Sequence, residues 1–377
     1  MSDWSEISLD KVVALKRGFD LPEPQRRPGP YPVLGSSGIS GWHDEGPVKG
    51  PGVTIGRSGA IGAATYFEGD YWPLNTTLFA ADFKGNSPHY VYYLLDSIDF
   101  ASFNSGSAQP SLNRNYIANI RIRLPVREEQ EAIAGLLGAL DDKIAVNERI
   151  ARVCRELIAV KYNDAVASGV KSVQISDVAE VYDGPHATPR KTKSGPWFLS
   201  ISSLSRGRLM LDQSAHLSED DFKQWTRRVT PRFGDVLFSY ETRLGDAASM
   251  PAGIRACLGR RMALLRPREI GSRTLLQAFL SPSFQENIRQ YSIHGATVDR
   301  IPLTEFPSWR IELPARDPWQ LESILGPLDD LAQQRDRENG TLADLRDTLL
   351  PKLMSGEVRL PACGLSRDVR ASTECAG

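Results

Sequence analysis

Two long stretches of the chain carry apolar residues at alternating intervals of four and three positions. The seam positions are Ile133, Leu137, Leu140, Ile144, Asn147, Ala151, Cys154 and Ile158 in the first, and Leu321, Leu325, Leu328, Ala332, Arg335, Asn339, Leu342, Leu345, Leu349 and Leu353 in the second. This spacing is that of a heptad repeat and predicts two long amphipathic helices. Polar residues interrupt the middle of both seams, which is typical of helix pairs whose register is fixed. We expect the two helices to pack against each other in antiparallel orientation.

Short sequences at the start of each predicted helix are repeated. Residues 124–127 (LPVR) correspond to 313–316 (LPAR), and residues 138–142 (GALDD) correspond to 326–330 (GPLDD). A segment of globular composition precedes each copy. The period is far longer than that of a solenoid repeat. The chain is therefore interpreted as a duplicated two-part module, in the order globule, helix, globule, helix.

This organisation predicts an α+β fold. Two mixed α/β domains are separated by two long antiparallel coiled-coil helices, with a pseudo-two-fold internal repeat. The predicted segments are a first globular domain over 1–124, a central helix over 125–168, a second globular domain over 169–312, a distal helix over 313–360 and a poorly packed tail over 361–377.

Within the globular segments, the same order of elements is expected twice. The predictions are strands around a glycine-rich turn over 52–62, a strand over 76–81 and a helix over 88–98, then strands over 233–238 and 261–265 and a helix over 275–290. The residues mostly differ between the copies. This indicates a duplicated scaffold whose surface loops have diverged.

The composition excludes several classes of protein. With 377 residues and 41% hydrophobic content, two or three packed domains are expected rather than disorder. No apolar run is long enough to span a membrane, and the first residues lack the pattern of a secretory signal. The four cysteines are scattered without a CxxC pair, as in reduced cytosolic proteins. We therefore expect a cytoplasmic protein.

The net charge of −1 conceals an uneven distribution. Residues 171–312 hold 20 basic and 15 acidic residues, a balance of +5, whereas both helical segments are acidic. Phosphate binding depends on local rather than overall positive charge. The second globular segment is therefore a candidate for nucleic-acid binding, with an ordinary fluctuation of charge between domains as the alternative.

The sequence contains no recognisable catalytic pattern. Glycine-rich loops over 35–41 and 56–62 lack the GK[ST] of a nucleotide-binding loop. The five histidines share no ligand spacing with cysteine or carboxylate residues, which argues against a metal site. No Ser/His/Asp arrangement or methyltransferase glycine loop is present. These observations favour a binding and scaffolding protein that binds no cofactor or metal itself.

Five segments carry a resemblance to a known family. They are Pro30–Ile39, Ile55–Gly62, Asp183–Pro189, Phe198–Leu204 and Leu345–Glu357. Together with the globule–helix–globule–helix layout, they resemble the DNA-specificity subunit of type I restriction–modification systems. The resemblance covers nearly all of residues 1–360.

The resemblance implies two target recognition domains, each reading half of an interrupted double-stranded DNA sequence, with the helices setting the gap. It also implies two methyltransferase subunits as partners, which use S-adenosylmethionine, and in restriction complexes a nuclease subunit that uses ATP and magnesium. The specificity subunit itself would catalyse nothing. The outer faces of the helices and the domain edges near Arg127 and Arg316 are the expected methyltransferase docking surfaces.

Candidate DNA contacts follow from the chemistry of base edges. Arg pairs with guanine, Asn or Gln with adenine, and Ser or Thr with either. On glycine-flanked loops the candidates are Arg57, Ser58, Asn75, Gln109, Asn113 and Arg114 in the first domain, and Tyr240, Thr242, Arg243, Arg260, Arg261 and Arg300 in the second. Each could instead be a solvated loop residue or a phosphate contact without sequence information.

Three alternatives remain open at this point. One is a specificity subunit of a methylation-only complex that has no nuclease. Another is an enzyme whose site the sequence does not reveal. The third is an interaction scaffold that does not bind DNA, against which the basic second domain and the five segments argue.

Overall fold

The computed structural model describes residues 4–103, 111–186, 188–293, 298–315 and 317–360. The chain divides into two compact units. Unit 1 comprises Met1–Val146 and Asn339–Gly377, and unit 2 comprises Asn147–Glu338. Gln109, Arg316 and the predicted tail over 361–377 lie outside the described residues.

Unit 1 alternates short strands with short helices and ends in the first part of a long helix. Its elements are β1 (Ser5–Ser8), α1 (Leu9–Val12), β2 (Ala14–Arg17), β3 (Tyr31–Gly35), β4 (Gly38–His43), β5 (Gly52–Gly56), β6 (Ala64–Phe67), β7 (Trp72–Pro73), β8 (Thr77–Asp82), α2 (Pro88–Asp96), α3 (Arg114–Ile117), β9 (Arg121–Leu124) and α4 (Arg127–Ala167). Residues 127–146 of α4 belong to this unit, and the rest belong to unit 2.

Unit 2 continues with a similar series. Its elements are β10 (Val170–Gln174), α5 (Ile175–Val178), β11 (Ala179–Asp183), β12 (Thr192–Phe198), β13 (Leu204–Ser205), β14 (Arg208–Leu209), β15 (Ala215–His216), α6 (Glu219–Trp225), β16 (Val236–Ser239), β17 (Ala247–Ser249), β18 (Ala256–Cys257), β19 (Met262–Pro267), α7 (Ser272–Leu280), α8 (Pro282–Tyr291), β20 (Arg310–Pro314) and α9 (Pro318–Ser355). The last part of α9, from Asn339, belongs to unit 1.

The two units share the same sheet topology, which confirms the predicted internal repeat. A four-stranded antiparallel sheet has the order β2-β8-β5-β6 in unit 1 and β11-β19-β16-β17 in unit 2. A three-stranded sheet has the order β4-β3-β7 in one and β15-β12-β18 in the other, with the last pair parallel in both. A two-stranded pair, β1 with β9 and β10 with β20, completes the correspondence.

The central strand β5 and its counterpart β16 explain why each four-stranded sheet forms. All residues of both strands are buried, as expected for strands covered on both faces. Helix α2 packs on β5 and β6, and α7 packs on β16 and β17. The apolar residues of these helices therefore join the strands in one hydrophobic core in each unit.

In unit 1 the two long helices pack antiparallel, as the heptad pattern predicts. The side-chain amide of Asn339 donates to the Ile144 carbonyl oxygen at 3.2 Å. Further along, Arg346 Nη1 donates to Asp141 Oδ1 at 2.9 Å. Residue numbers thus rise on α9 as they fall on α4. Near the end of α9, Leu353 is fully buried in the same core as Leu137.

In unit 2 the remaining parts of the helices also pair. Ala151, Cys154 and Ala332 form a buried cluster whose small side chains allow the helices to approach closely. Arg155 bonds to Asp336 one turn further along α9. The seam positions thus face each other in this unit as well. The contacts of Asn339 and Arg346 in unit 1 confirm the predicted antiparallel pairing of the spacer helices.

The repeated Leu-Asp-Asp sequence fastens each helix to the globular part of its own unit. In unit 1 the Tyr93 hydroxyl, on α2, donates to Asp141 Oδ2 at 2.6 Å. In unit 2 Arg273, on α7, donates through Nε to Asp329 Oδ2 at 3.1 Å and through Nη2 to Asp330 Oδ1 at 2.5 Å. In both copies the first aspartate of the pair accepts a hydrogen bond from the helix that packs on the sheet.

The prediction of one helix over 275–290 is wrong. The structure has two helices, α7 and α8, which meet at Ser281 and Pro282. A residue before proline is pushed into the extended region, and Ser281 has φ −60° and ψ 146°. Its hydroxyl accepts from the Phe284 backbone N–H at 3.3 Å and so caps the second helix.

One seam position also differs from the prediction. Leu345 is 45% exposed, whereas its neighbour Arg346 faces α4 and pairs with Asp141. Leu342 and Leu349 lie seven positions apart, so either Leu345 or Arg346 gives intervals of three and four residues between them. The sequence alone favours Leu345 because it is apolar. The acidic partner decides the outcome, because the partly buried Asp141 accepts a charge-assisted hydrogen bond from Arg346.

Trp4, the first residue that the structure describes, lies beside the end of α9. Trp4 Nε1 donates to Glu129 Oε2 at 2.8 Å, and a Cβ added at Gly356 would lie 3.3 Å from the Trp4 ring. Arg123 Nη1 donates to the Ser355 carbonyl oxygen at 3.1 Å. These contacts join the first and the last described segments of unit 1.

Replacing Arg273 with alanine should destabilise unit 2. The side chain is 14% exposed, and its removal leaves Asp329 without its main partner. Losing one partner of a buried ion pair costs about 3–5 kcal/mol. We expect a loss of this size in the free energy of unfolding from urea titration.

The matched control is Arg289→Ala, since Arg289 pairs with Glu286 on an exposed helix face and should contribute less than about 1 kcal/mol. Burial raises the pKa of the Asp329 carboxyl. Arg273 lowers this pKa in part, so the pKa of Asp329 should be higher still in Arg273→Ala. The loss of stability should be full above the pKa in the variant and shrink as the pH falls through it. Equal losses for the two variants would contradict the anchoring role of Arg273.

Candidate nucleic-acid interface

Most of the predicted contact residues lie at one edge of a four-stranded sheet. Neighbouring strands of this sheet are antiparallel, so in unit 1 the end of β2, the start of β8 and the turn from β5 to β6 meet at the same edge. The turns at this edge are residues 18–20, 74–76 and 57–63. In unit 2 the corresponding edge carries the end of β11, the start of β19 and the turn from β16 to β17.

Backbone hydrogen bonds hold the turns of unit 1 together. The Arg57 N–H donates to the Thr76 carbonyl oxygen at 2.8 Å. The Leu112 N–H donates to the Arg57 carbonyl oxygen, also at 2.8 Å, and brings in a fourth segment. The structure thereby places Arg57, Ser58, Asn75, Asn113 and Arg114 on one surface.

Unit 2 repeats these hydrogen bonds. The Tyr240 N–H donates to the Arg261 carbonyl oxygen at 3.1 Å, and the Ile301 N–H donates to the Tyr240 carbonyl oxygen at 2.8 Å. Tyr240 therefore occupies the position that Arg57 has in unit 1. The predicted residues Tyr240, Thr242, Arg243, Arg260, Arg261 and Arg300 all lie at this edge.

The side chains at the two edges differ although the backbone is shared. Unit 1 has Ser58, Gly59, Ala60, Ala63, Asn75, Thr76 and Ser111 where unit 2 has Glu241, Thr242, Arg243, Asp246, Arg260, Arg261 and Arg300. Gly59 has φ 82° and Thr242 has φ 70°, so even the left-handed turn residue is retained. The first edge is small and polar, and the second carries several charges. Two surfaces built this way would bind different partners or different sequences.

In unit 2 an ion-pair network sets the orientation of Arg261. Its Nε lies 3.0 Å from Glu241 Oε2, and its Nη1 donates to Thr242 Oγ1 at 3.2 Å. Both Thr242 and Arg261 have a positive φ, which side chains other than glycine rarely adopt. Such strain is typical of functional turns that the surrounding structure holds in place.

The predicted residues vary in exposure. Arg260 and Arg300 are exposed and form no ion pair with a residue that the structure describes. Tyr240, in contrast, is 8% exposed and packs in the core of unit 2. Burial, with a smaller effect of nearby Asp183, raises the pKa of its hydroxyl to about 12. The Tyr240 side chain therefore faces the core of unit 2 rather than the surface.

In unit 1 the amide of Asn75 bonds to Asp20, and Asn113 accepts from the Asn115 backbone N–H at 3.0 Å. Arg114 is exposed at the start of α3. The sequence analysis missed Asp20, which lies in the turn after β2. The sequence feature that could have indicated this turn is a glycine directly after the first strand of each four-stranded sheet. It is Gly18 in unit 1, and its counterpart in unit 2 is Gly184.

That counterpart, Gly184, allows two chain segments to approach each other. A Cβ at Gly184 would lie 2.5 Å from the Met262 carbonyl oxygen, and one at Gly18 would lie 2.2 Å from the Leu74 carbonyl oxygen. A side chain fits at neither position. The turns after β2 and β11 are therefore fixed against the rest of the edge.

These edges present hydrogen-bond donors and acceptors on rigid turns, the chemistry that reads base edges and phosphates. Among the described residues no group of His, Cys, Asp and Glu could hold a metal ion. Within the same part of the chain, no helix has both the length and the apolar content needed to cross a membrane.

The chain is similar in sequence to one group of known proteins. Residues 1–153 match the type I restriction modification DNA specificity domain. The chain is 21% identical over 301 residues to the MjaIX specificity subunit of Methanocaldococcus jannaschii. The aligned region covers 72% of this chain and 69% of that protein. It is 27% identical over 112 residues to the EcoprrI specificity subunit of Escherichia coli, covering 29% of this chain and 28% of the relative.

Among solved structures, the S subunit of a type I restriction–modification system from M. genitalium has the same fold. Its TM-score is 0.65 at 17% identity, over 93% of this chain and 96% of that one. In sequence and in fold the chain is similar to the specificity subunits of type I restriction–modification systems.

Replacing Arg260 with alanine should weaken DNA binding by the full chain. Arg260 is exposed in the turn that precedes β19. One arginine contact to a base or a phosphate contributes about 1–3 kcal/mol, which is about 5- to 150-fold in affinity. The control is Arg268→Ala, since Arg268 pairs with Glu180 at the opposite end of the same strand. Electrophoretic mobility shifts at fixed salt would measure the DNA affinity of both variants. An equal loss of affinity in Arg260→Ala and Arg268→Ala would place the interface elsewhere.

Proposed function

We propose that each unit reads one half of a two-part DNA sequence. Residues 1–124 and 169–312 would act as the two target recognition domains. The observation that carries the proposal is the shared edge backbone with different side chains, since the same fold could then read two different half-sites. The basic balance of 171–312 supports DNA binding by unit 2.

The long helices would set the distance between the half-sites. Their seams pair within each unit, and each helix contributes residues to both units. A buried polar residue on a seam fixes register, and Asn147 and Asn339 are both buried. These features support a spacer of defined length.

We further propose that two methyltransferase subunits bind this chain and carry S-adenosylmethionine, while the specificity subunit supplies no catalytic group. The outer faces of α4 and α9 are the proposed docking surfaces. A nuclease subunit that uses ATP and magnesium would join in restriction complexes, and a methylation-only complex is the alternative. A cytoplasmic location belongs to the same proposal.

Exchanging residues 171–312 for the corresponding domain of another specificity subunit should change one half of the methylated sequence. The other half and the gap should persist, because unit 1 and the helices are untouched. Genome-wide mapping of methylated adenine would show the result. The matched control exchanges the same segment with that of a relative that has the same half-site and should leave the motif unchanged. A change in both halves after the exchange would mean that the units do not read separately.

Inserting one heptad at the same level in α4 and α9 should lengthen the gap in the motif. Seven residues add about 10 Å at about 1.5 Å per residue and keep the seams in register. At about 3.4 Å per base pair, the shift is about three base pairs or somewhat fewer, because the insertion also rotates one domain about the helix axis.

The control inserts three residues in α4 alone. This breaks the seam, and methylation should be lost. If the heptad variant methylated the original motif with the original gap, the helices would not set the spacing and would serve only for docking.

A further inference from the structure

A second basic surface of unit 2 begins where the predicted contact edge ends. It consists of residues 183–186 and 188–193, from the end of β11 to the start of β12, together with residues 224–229, at the end of α6 and directly after it. The Gly184 N–H donates to the Met262 carbonyl oxygen at 3.0 Å, so this loop starts beside the turn that carries Arg260 and Arg261. None of its basic residues was among the sequence-predicted contacts.

The cations of this surface differ from others in the same unit. Arg190, Lys191, Lys193 and Arg227 are exposed, and none forms an ion pair with any residue in the described ranges. Arg266, by comparison, pairs with Asp235 at 2.8 Å. Exposed cations without a carboxylate partner are suited to phosphate oxygens.

Two recesses lie along this surface. One, of about 660 Å³, is lined by Arg190, Lys191 and Lys193. The other, of about 390 Å³, is lined by Asp183, Arg228 and Trp225, among others. The Trp225 indole N–H is buried there and has no hydrogen-bond partner in the part of the chain that the structure describes. A bound group with an acceptor would satisfy this donor.

Arg228 is held at the mouth of the smaller recess. Its Nη1 donates to Asp183 Oδ2 and to the Gly184 carbonyl oxygen, each at 3.4 Å. The side chain is 62% exposed, and Nε and Nη2 make no hydrogen bond to a described residue. His186 Nε2 lies 3.0 Å from the same Asp183 oxygen. A carboxylate thus orients one side of the guanidinium and leaves the other side to a ligand.

We propose that this surface is part of the DNA interface of unit 2, where Arg228 reads a guanine and Arg190, Lys191 and Lys193 contact the phosphate backbone. The free Nε and Nη2 donors match the O6 and N7 acceptors of guanine in the major groove. Asp183 is a positioning residue that acts through Arg228. The inference rests on the proposed function, since it assigns base and phosphate contacts within the half-site that unit 2 reads.

The base contact is tested with the gene in its own cell, so that the chain works in its natural complex. Methylated adenine is mapped for the wild type, Arg228→Ala, Arg228→Lys and the control Arg289→Ala. Both Arg228 variants should lower the preference for G·C at one position of the second half-site by about 5- to 150-fold, because alanine has no donor and lysine lacks the rigid planar fork of the guanidinium. Asp183→Asn should weaken the same preference and no other.

The outcomes separate this inference from the proposed function. If the wild-type gene produces no two-part methylated motif, the proposed function itself fails. If the motif is present and both Arg228 variants keep every base preference, only the assignment of Arg228 fails. If Arg228→Ala abolishes methylation altogether, Arg228→Lys decides: a loss of preference at one position supports the assignment, and an equal loss at every position overturns it.

The phosphate contacts are tested with the purified full chain and a duplex that carries the wild-type motif. Lys191→Ala/Lys193→Ala should weaken binding alike for this duplex and for a scrambled one. The slope of log affinity against log salt should fall by about one for each contact removed. Arg289→Ala should leave affinity and slope unchanged. An unchanged slope in the double variant would exclude these lysines from the backbone contact.

Discussion

The attachment of each long helix to its globular domain depends on one carboxylate, which is partly buried in unit 1 and largely buried in unit 2. Asp141 receives the Tyr93 hydroxyl and the Arg346 guanidinium in unit 1, and Asp329 receives Arg273 in unit 2. A buried carboxylate is stable only with such donors. The donors from the globular domains lie on α2 and α7, which pack on the sheets whose edges form the candidate interface. The position of the interface in each unit therefore follows from this attachment.

Duplication explains how one chain could recognise a two-part sequence. The hydrogen bonds that fix Arg57 in unit 1 recur at Tyr240 in unit 2, so the edge backbone is retained. Buried strands and close backbone contacts tolerate few changes, since packing defects are costly. Exposed turn side chains tolerate many. Selection for a new half-site could thus act on residues such as Arg260 and Asn75 without disturbing the fold.

The sequence predicted the helices and the duplication well, because a heptad pattern and a repeated Leu-Asp-Asp sequence have direct physical causes. It failed where several solutions fit one pattern. Leu345 and Arg346 both suit the seam, and only the partner Asp141 decides between them. Tyr240 lies on the predicted turn but faces the core, since residue type does not reveal direction. Two-residue strands such as Ala256–Cys257 carry no alternation that could predict them.

The central claim, that the chain selects a DNA sequence in two parts at a fixed distance, is tested most directly by mapping methylated adenine across the genome of its source organism with and without this gene. The account predicts one asymmetric motif, two short specific halves around a gap of constant length, that is methylated in the wild type and unmethylated after deletion of the gene. An identical set of methylated motifs in the two genomes, in cells that express the chain and its methyltransferase partners, would contradict the account.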